Sequence, residues 1–166
     1  MSIFIITPRL ELVNPDTKNV SAMRQIERQG DVMKHLITLA AYQHRSQDLL
    51  PWLNRIKNYQ QANHSGNTLI CHVLEKGKKP LQDRILGRIG IFLQPGKTEA
   101  FAGVLLRKEV WRKGYALEAM FALLNHAFKQ FPSLQTIHFE TLAGNTRVFE
   151  LLTKAGLPYK KTHLPG

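Results

Sequence analysis

The sequence predicts an α/β fold with a mixed, largely antiparallel sheet and helices on both faces of the sheet. Strand-like segments between residues 69 and 106 follow one another through short turns, which is typical of an antiparallel meander. A strand–helix–strand unit at residues 99–141 predicts a parallel pair joined by a right-handed crossover. Helical segments precede the meander, and the hydrophobic content of 43% indicates one globular domain over residues 1–166.

The individual elements follow from apolar periodicity and from the Gly, Pro, Asn and Asp residues between periodic segments. Strands are predicted where apolar residues alternate or run together, at residues 3–6, 9–13, 69–74, 85–93, 99–106, 134–141 and 157–164. Helices are predicted where apolar residues recur at helical spacing, at residues 16–30, 32–41, 46–59, 115–128 and 144–156. Asp16 or Thr17 is the expected cap of the first helix, and Ser46 is the expected cap of the third.

Charge and composition narrow the classes of function. Lys and Arg number 23 against 12 Asp and Glu, and the formal net charge of +11 favours polyanionic partners such as nucleic acid, an acidic protein or a phosphorylated cofactor. The basic residues are dispersed, which disfavours a nucleic-acid platform. No apolar run has the length of a membrane span, and no signal peptide is expected at Met1. The single cysteine, Cys71, is expected to be a buried structural thiol in a cytoplasmic protein.

A strand, a basic turn and the start of a helix follow one another over residues 104–120. The turn carries Arg107, Arg112 and Lys113, and Gly114 precedes the helix. The N–H groups in the first turn of a helix have no partner inside it, and the helix dipole places positive charge there. These features predict a phosphate-binding corner. The alternative is that Gly114 only turns the chain before an ordinary surface helix.

Four sequence motifs stand in an order that matches a known family. They are Thr7-Pro8-Arg9-Leu10, His44-Arg45-Ser46 before a helix with Trp52, the loop from Trp111 to Ala119, and the helix from Asn145 to Leu157. Together with the order of the elements, they extend over nearly the whole chain. In these features the sequence resembles the GCN5-related N-acetyltransferase (GNAT) superfamily, and in particular its RimJ/RimL-like branch of ribosomal-protein-alanine acetyltransferases.

The resemblance implies acetyl-CoA as the cosubstrate. In the family, the pyrophosphate lies on the backbone that corresponds to Arg112–Ala116, and the pantetheine lies beside Val104 and Leu106. An amide of residues 105–107 would polarise the acetyl carbonyl. Asn145 would lie near the thioester, and its alternative role is a helix N-cap. The implied cofactor-binding residues are Val104, Leu105, Leu106, Arg107, Arg112, Lys113, Gly114, Tyr115, Ala116 and Asn145.

The sequence departs from the family pattern at three places. Arg112 replaces a glycine of the loop, and its Cβ atom need not block the N–H donor if the residue stays outside the left-handed backbone region. Val148 replaces a serine whose hydroxyl is the plausible proton donor to the departing thiolate. The chain ends at Gly166, so the C-terminal strand that walls the acceptor site is expected to be missing. The sequence is then truncated, a neighbouring protomer fills the place, or the acceptor cleft is open.

The implied reaction is direct attack of a neutral amine on the acetyl thioester, with no covalent enzyme intermediate. The candidate general bases are His138 and Glu140, which share one face of a strand, and Glu109 at the end of the neighbouring strand. Each could instead be a half-exposed surface residue, and Glu118 a first-turn acid favoured by the helix dipole. The histidines show no metal-ligand spacing, so no metal site is expected.

Three functions remain open at this point. The first is an acetyl-CoA-dependent N-acetyltransferase that acts on a protein N-terminal α-amino group or on a small amine. The second is a catalytically weakened member of the fold that binds CoA or a protein, which Val148 and the short C-terminus favour. The third is a nucleic-acid or ribosome binder, which only the net charge supports. A homodimer is compatible with the first two.

Overall fold

The computed structural model describes residues 3–33, 48–77, 84–139 and 146–156. Six strands of this part of the chain form one sheet, and their order in the sheet is their order in the sequence. The strands are β1 (Phe4–Ile6), β2 (Leu10–Val13), β3 (Thr68–Glu75), β4 (Ile85–Leu93), β5 (Glu99–Leu106) and β6 (Thr136–Phe139). The helices are α1 (Val20–Glu27), α2 (Gly30–Met33), α3 (Leu50–His64), α4 (Tyr115–Gln130) and α5 (Thr146–Lys154), and short 3-10 helices span Thr17–Asn19 and Lys108–Val110.

The pairing pattern confirms the predicted mixed sheet. Strands β1 to β5 pair in succession, each antiparallel to the one before. Strand β6 returns parallel to β5 after α4, as expected for a strand–helix–strand crossover. The parallel ladder runs from Glu99 opposite Thr136 to Ala102 opposite Phe139. The described residues of β6 therefore pair with the first half of β5.

Two hydrophobic clusters lie on opposite faces of the sheet, because successive side chains of a strand alternate between its faces. One cluster joins the sheet to α4 and α5, and its buried members include Leu12, Cys71, Ile89, Met120 and Leu152. The other joins the sheet to α1 and α2, and α3 packs against α1 and β3. Burial raises the pKa of the Cys71 thiol to about 12, as expected of a structural thiol.

Buried polar side chains lie between the sheet and the helices of the second face. Glu27 is 2% exposed and accepts hydrogen bonds from Arg55 at 2.5 Å and from Arg88 at 3.1 Å. Two guanidinium groups on one carboxylate form a charge-assisted network that ties α1 to α3 and to β4. His72, opposite Arg88 in the sheet, is buried, and its Nδ1 lies 3.2 Å from Asn19 Nδ2. This face of the sheet is therefore held by polar contacts as well as by apolar packing.

The structure corrects the helix predicted over residues 16–30, which is divided into a 3-10 helix, α1 and the start of α2. Asp16 caps the 3-10 helix, not α1, because its carboxylate accepts from the Lys18 N–H at 2.9 Å. No helix of the described ranges is long and apolar enough to cross a membrane.

Two other predicted boundaries shift. Helix α3 runs from Leu50 to His64, with Pro51 in its first turn, where a missing N–H removes no helical hydrogen bond. Strand β6 begins at Thr136, because the residues before it form a turn in which Leu134 N–H donates to the Phe131 carbonyl at 3.0 Å. Residues 34–41 of the helix predicted over residues 32–41 lie outside the described residues, as do the cap at Ser46, the end of the strand predicted over residues 134–141, the start of the helix predicted over residues 144–156, and the strand predicted over residues 157–164.

A β-bulge interrupts the register between β3 and β4. Val73 lies opposite Gly87, whereas the next residue of β3 lies opposite Ile85. Gly87 has a φ of 151°, and a Cβ atom built there would lie 1.9 Å from the carbonyl oxygen of Leu105. Glycine is therefore required at residue 87 for β4 to approach β5.

We expect Gly87→Ala to force β4 away from Leu105 and to lower the free energy of unfolding by about 2–3 kcal/mol, the scale of a strained backbone position. Gly103→Ala is the matched control in the adjacent strand, because a Cβ at residue 103 meets nothing within 4 Å. Denaturant unfolding of both variants measures the difference. Equal losses in the two variants would contradict the role of the close approach.

The buried His72 makes stability depend on pH. Burial and the positive charge of Arg88 lower the pKa of His72 to about 4, and Asp16 opposes this shift. In the unfolded chain the same imidazole has its ordinary pKa of about 6.5. Between about pH 6.5 and pH 4, the unfolded state therefore binds a proton at His72 that the folded state does not bind. The contribution of neutral His72 to stability is thus complete above the unfolded pKa and is lost as the pH falls toward the folded pKa.

We expect the wild-type protein to lose more stability than His72→Gln between about pH 7 and pH 4, by on the order of 3 kcal/mol. The variant removes the titrating group but keeps a polar side chain beside Asn19. Unfolding free energies measured across this pH range for both proteins test the expectation. Parallel curves would show that His72 does not control the acid side of the stability profile.

Candidate functional site

The cosubstrate site predicted from the sequence includes the end of β5. The described part of the ladder between β5 and β6 runs to Ala102 opposite Phe139, and residues 140–145 lie outside the described residues. Among the described residues, none pairs with residues 103–106 of β5 on the side away from β4. Backbone N–H and C=O groups on that side of a strand can pair with an extended ligand.

Pairing with β4 decides which backbone groups of β5 point away from β4. Arg107 N–H donates to the Leu86 carbonyl at 2.7 Å, so it points toward β4. Successive N–H groups of a strand point to opposite sides, so those of Val104 and Leu106 point away from β4. The Trp111 indole N–H donates to the Leu106 carbonyl at 2.9 Å, which agrees with this orientation. This side of β5 therefore offers the N–H groups of Val104 and Leu106 as donors, whereas the N–H group of Leu105 between them faces β4.

A small apolar cavity of ≈ 10 Å³ lies beside the described part of β6. The residues that line it come from β4, β5, α4 and β6 and are Ile89, Gly90, Ile91, Ala102, Gly103, Met120, Leu123, Leu124 and Phe139. None of these residues is charged, so the cavity is an apolar gap in the packing with room for about one water molecule.

The connection from β5 to α4 passes through two residues in the left-handed conformation. Arg112 has a φ of 62° and Gly114 a φ of 81°. Gly114 is the N-cap residue of α4, and no side chain caps the helix. The Gly114 carbonyl accepts the first helical bond, from Glu118 N–H at 3.0 Å. The N–H groups of Tyr115, Ala116 and Leu117 consequently have no acceptor within the helix, and they lie at its positive end.

The backbone of Arg112 is left-handed, so the condition under which its Cβ atom leaves the N–H donor unobstructed is not met. A residue with a Cβ atom is disfavoured in this region by about 1–2 kcal/mol, which gives a physical reason for glycine in the family pattern. The side chains of Arg112 and Lys113 are both exposed. Their charges therefore lie in solvent beside the helix start.

A cluster of polar contacts joins the turn between β1 and β2 to the start of α4. We name it the Arg9 clamp, and it consists of Thr7, Arg9 and Glu118. Glu118 Oε1 accepts from Thr7 Oγ1 at 2.5 Å and from Arg9 N–H at 2.8 Å. Arg9 Nε donates to Glu118 Oε2 at 2.6 Å, and Arg9 Nη1 donates to the Lys113 carbonyl at 2.8 Å. The Arg9 clamp therefore holds the chain on both sides of Gly114.

Tyr115 extends these contacts to β3. The Arg9 guanidinium carbon lies 4.3 Å from the centre of the Tyr115 ring, and the Tyr115 hydroxyl donates to Glu75 Oε1 at 2.8 Å. This hydrogen bond to a carboxylate raises the pKa of Tyr115. Burial raises the pKa of Glu118, but hydrogen bonds from Thr7 and Arg9 outweigh it and hold that pKa below its ordinary value. At neutral pH the tyrosine is therefore neutral and Glu118 is ionised.

The candidate general bases with described side chains have different surroundings. His138 lies on β6, where its Nε2 is 3.2 Å from Glu99 Oε2 and its ring centre is 5.2 Å from that of Phe101. Glu109 lies in the 3-10 helix after β5 and accepts from Gln29 Nε2 at 2.9 Å. Its own backbone N–H and the Gln29 side chain lower the pKa of Glu109. A carboxylate with a lowered pKa is a weaker base, which favours His138 over Glu109.

Two of the predicted site residues, Glu140 and Asn145, lie outside the described residues, and so does the side chain of Val148. In the described ranges, no group of three or more His, Cys, Asp and Glu side chains could hold a metal ion.

Sequence patterns alone did not reveal the Arg9 clamp. They indicated Thr7 and Arg9 only as part of a motif and Glu118 only as a first-turn acid. Arg9 and Glu118 are separated by 109 positions, so no local periodicity connects them. The available signal was a Thr-Pro-Arg-Leu turn between two strands, which places a hydroxyl and a guanidinium group at one end of the sheet.

Comparison with known proteins agrees with this geometry. The family model of the acetyltransferase (GNAT) domain matches residues 9–158. No curated protein matches the sequence. Among similar solved structures, the microcin self-immunity acetyltransferase MccE, in complex with acetyl-CoA and AMP, is 14% identical with a TM-score of 0.75, covering 90% of this chain and 79% of that chain.

Two further structures have the same fold. RimL, a ribosomal alpha-N-protein acetyltransferase in complex with CoA, is 14% identical with a TM-score of 0.75, covering 92% of this chain and 82% of that chain. A GNAT-family acetyltransferase from Bacillus anthracis is 22% identical with a TM-score of 0.73, covering 93% of this chain and 82% of that chain.

We expect Arg112→Gly to raise the free energy of unfolding by about 1 kcal/mol, because the relieved left-handed strain exceeds the added entropy of the unfolded chain. Lys113→Gly is the matched control, since it removes the same charge from a neighbouring exposed residue whose φ is not positive. This control should lower the free energy of unfolding by about 0.5–1 kcal/mol. Denaturant unfolding that shows a loss in both variants would rule out strain at Arg112.

Proposed function

Because the chain belongs to the GNAT acetyltransferase family, we propose that it is an acetyl-CoA-dependent N-acetyltransferase of the RimJ/RimL-like type. The observation that carries the proposal is the position of two sets of backbone donors. The β5 amides that point away from β4 and the first turn of α4 belong to one continuous stretch, residues 104–117, so one extended ligand with an anionic part reaches both.

In this proposal the pyrophosphate of acetyl-CoA binds the N–H groups of residues 112–116. Left-handed residues lie on each side of Lys113, which is a backbone arrangement that can form an anion-binding nest, and the positive end of α4 adds to the field. Arg112 and Lys113 supply exposed positive charges beside it. The ligand complexes of MccE and RimL support acetyl-CoA as the cosubstrate.

The pantetheine then lies along the side of β5 that faces away from β4, where it would pair with the chain as an added strand would. The Trp111 indole already donates to the Leu106 carbonyl, so the Leu106 N–H is the group left to donate to a pantetheine carbonyl. The acetyl group lies farther from the pyrophosphate loop than the pantetheine does. We therefore assign the polarisation of the acetyl carbonyl to the Val104 N–H, and not to the N–H groups of Leu105 or Arg107, which face β4.

The chemistry proposed is a single transfer. The acceptor nitrogen attacks the thioester carbon, the C–S bond breaks, and the acceptor ammonium proton goes to a base. We propose His138 as that base, because Glu99 at 3.2 Å orients its imidazole through Nε2 and leaves Nδ1 as the acceptor. Glu140, the next but one residue, remains the other candidate. The thiolate leaves without a hydroxyl from residue 148, since that residue is Val148.

The acceptor proposed is the α-amino group of a protein N-terminus or a small amine. RimL acts on a ribosomal protein N-terminus, which favours the first of these classes. The net charge of +11 attracts the phosphates of CoA and an acidic acceptor at long range. We place the protein in the cytoplasm, because a single buried cysteine fits a reducing compartment.

A second candidate function is a GNAT-fold module that binds CoA without transferring its acetyl group. Val148 favours it, because a valine side chain cannot donate a proton to a leaving thiolate. The two candidates share the cosubstrate site and differ only in turnover.

A thermal titration followed by a thiol-release assay tests both candidates. We expect acetyl-CoA and CoA each to raise the melting temperature, because each binds only the folded state. We expect thiol release when peptides with free α-amino groups are added, and none with N-acetylated copies of the same peptides. Absence of stabilisation by both ligands would contradict the proposed function. Stabilisation without thiol release from any amine would favour the second candidate.

We expect Lys113→Glu to raise the Kd for CoA about tenfold, since it places negative charge beside the pyrophosphate. It leaves the Arg9 clamp intact, because Arg9 bonds to the backbone carbonyl of Lys113. Lys129→Glu is the matched control, with the same change in net charge in the last turn of the same helix. Calorimetric titration with CoA should show the loss in the first variant only. An equal loss in both would assign the effect to net charge and not to the loop.

A further inference from the structure

We propose that Arg9 is a positioning residue for CoA: it holds the loop that binds the pyrophosphate and neutralises Glu118, which would otherwise repel the phosphates. This inference rests on the proposed function. It assigns a role in the cosubstrate site to the turn between β1 and β2, which lies at the opposite edge of the sheet from β5 and β6.

Glu118 creates an electrostatic problem for an anion site. It lies in the first turn of α4, and its side chain is 17% exposed, so solvent screens its charge only in part. An acid in this turn stabilises a helix through its interaction with the dipole. The same negative charge opposes a pyrophosphate at the same helix end, so the anion site requires a neutralising partner.

The guanidinium group of Arg9 is that neutralising partner. Nε binds Glu118 Oε2 and Nη1 binds the Lys113 carbonyl, so one planar group connects the first turn of α4 to the residue before Gly114. Nη2 lies 3.2 Å from the point that a Cβ atom of residue 114 would occupy. Arg9 thus lies directly against the left-handed glycine, and the stacking of its guanidinium on Tyr115 limits its other movement.

Thr7 and the Arg9 backbone complete the arrangement. They donate to the other carboxylate oxygen of Glu118, at 2.5 and 2.8 Å. Glutamine at residue 118 would keep an oxygen for these two donors but would carry no charge. The positional and the electrostatic parts of the role are therefore separable by substitution.

Calorimetric titration of the full chain with CoA tests the proposal. We expect Arg9→Met to raise the Kd about tenfold. We expect the double variant Arg9→Met with Glu118→Gln to bind CoA about threefold more tightly than Arg9→Met alone, because the repelling charge is gone. In steady-state acetyl transfer, Arg9→Met should raise the KM for acetyl-CoA and leave kcat at saturation unchanged.

Lys97→Met is the matched control. Lys97 makes the same two kinds of contact as Arg9, a hydrogen bond to a carbonyl (Gly66, 3.1 Å) and a cation over a ring (Phe131, 5.6 Å), but in the turn between β4 and β5. We expect it to lower the melting temperature without changing the Kd for CoA. A purely structural role of Arg9 would instead give Arg9→Met and Lys97→Met the same profile, with lowered melting temperature and unchanged Kd.

Three results would overturn the proposal while wild-type CoA binding remains intact: an unchanged Kd in Arg9→Met, no recovery in the double variant, or an equal rise in Lys97→Met. If wild-type protein itself fails to bind CoA, the proposed function fails instead. If Arg9→Met does not fold, Arg9→Lys replaces it, because lysine neutralises Glu118 but lacks the fork that reaches the Lys113 carbonyl. Wild-type affinity in Arg9→Lys would contradict the positional part.

Discussion

The proposed site depends on the short connection of residues 107–114 that joins β5 to α4. At the end of β5, the N–H groups of Val104 and Leu106 point away from β4. The first N–H groups of α4 have no acceptor within the helix, and no side chain caps it. Because the connection is short, these two sets of backbone donors belong to one stretch of the chain. The path from strand to helix therefore decides where an extended ligand with an anionic part can reach both.

The second constraint is the left-handed backbone at residues 112 and 114. Gly114 adopts this conformation without strain, and it leaves the helix start uncapped by any side chain. Arg112 adopts it with a Cβ atom, so folding elsewhere must outweigh that strain. The Arg9 clamp, the indole bond from Trp111 and the Tyr115–Glu75 hydrogen bond all act on this short segment. Contacts from three other parts of the sheet thus hold a conformation that local preference does not favour.

Local pattern was sufficient to predict most of the fold. Alternating apolar residues and Gly or Pro breakers located the meander, and the crossover rule then gave the parallel direction of β6. Local pattern was not sufficient to predict contacts between charged residues that are distant in the sequence. The bonds of Arg9 to Glu118 and of Glu27 to Arg55 and Arg88 join residues that are each ordinary surface types by composition. The φ of Arg112 could not be predicted either, because arginine by residue type avoids the left-handed region.

The net charge of the chain explains less about where an anion would bind than the backbone donors do. The formal +11 is carried by dispersed side chains, and those nearest the loop, Arg112 and Lys113, are exposed and screened within about 8 Å at physiological salt. The backbone donors act at contact distance and have fixed directions. Arg9 is the exception among the cations, since its charge is matched to Glu118 and its position is fixed by the Lys113 carbonyl and the Tyr115 ring. The dispersed positive charges therefore attract an anion at long range, whereas the backbone donors at the Gly114 turn determine where it binds. Arg9, whose charge is already balanced by Glu118, holds that turn in position.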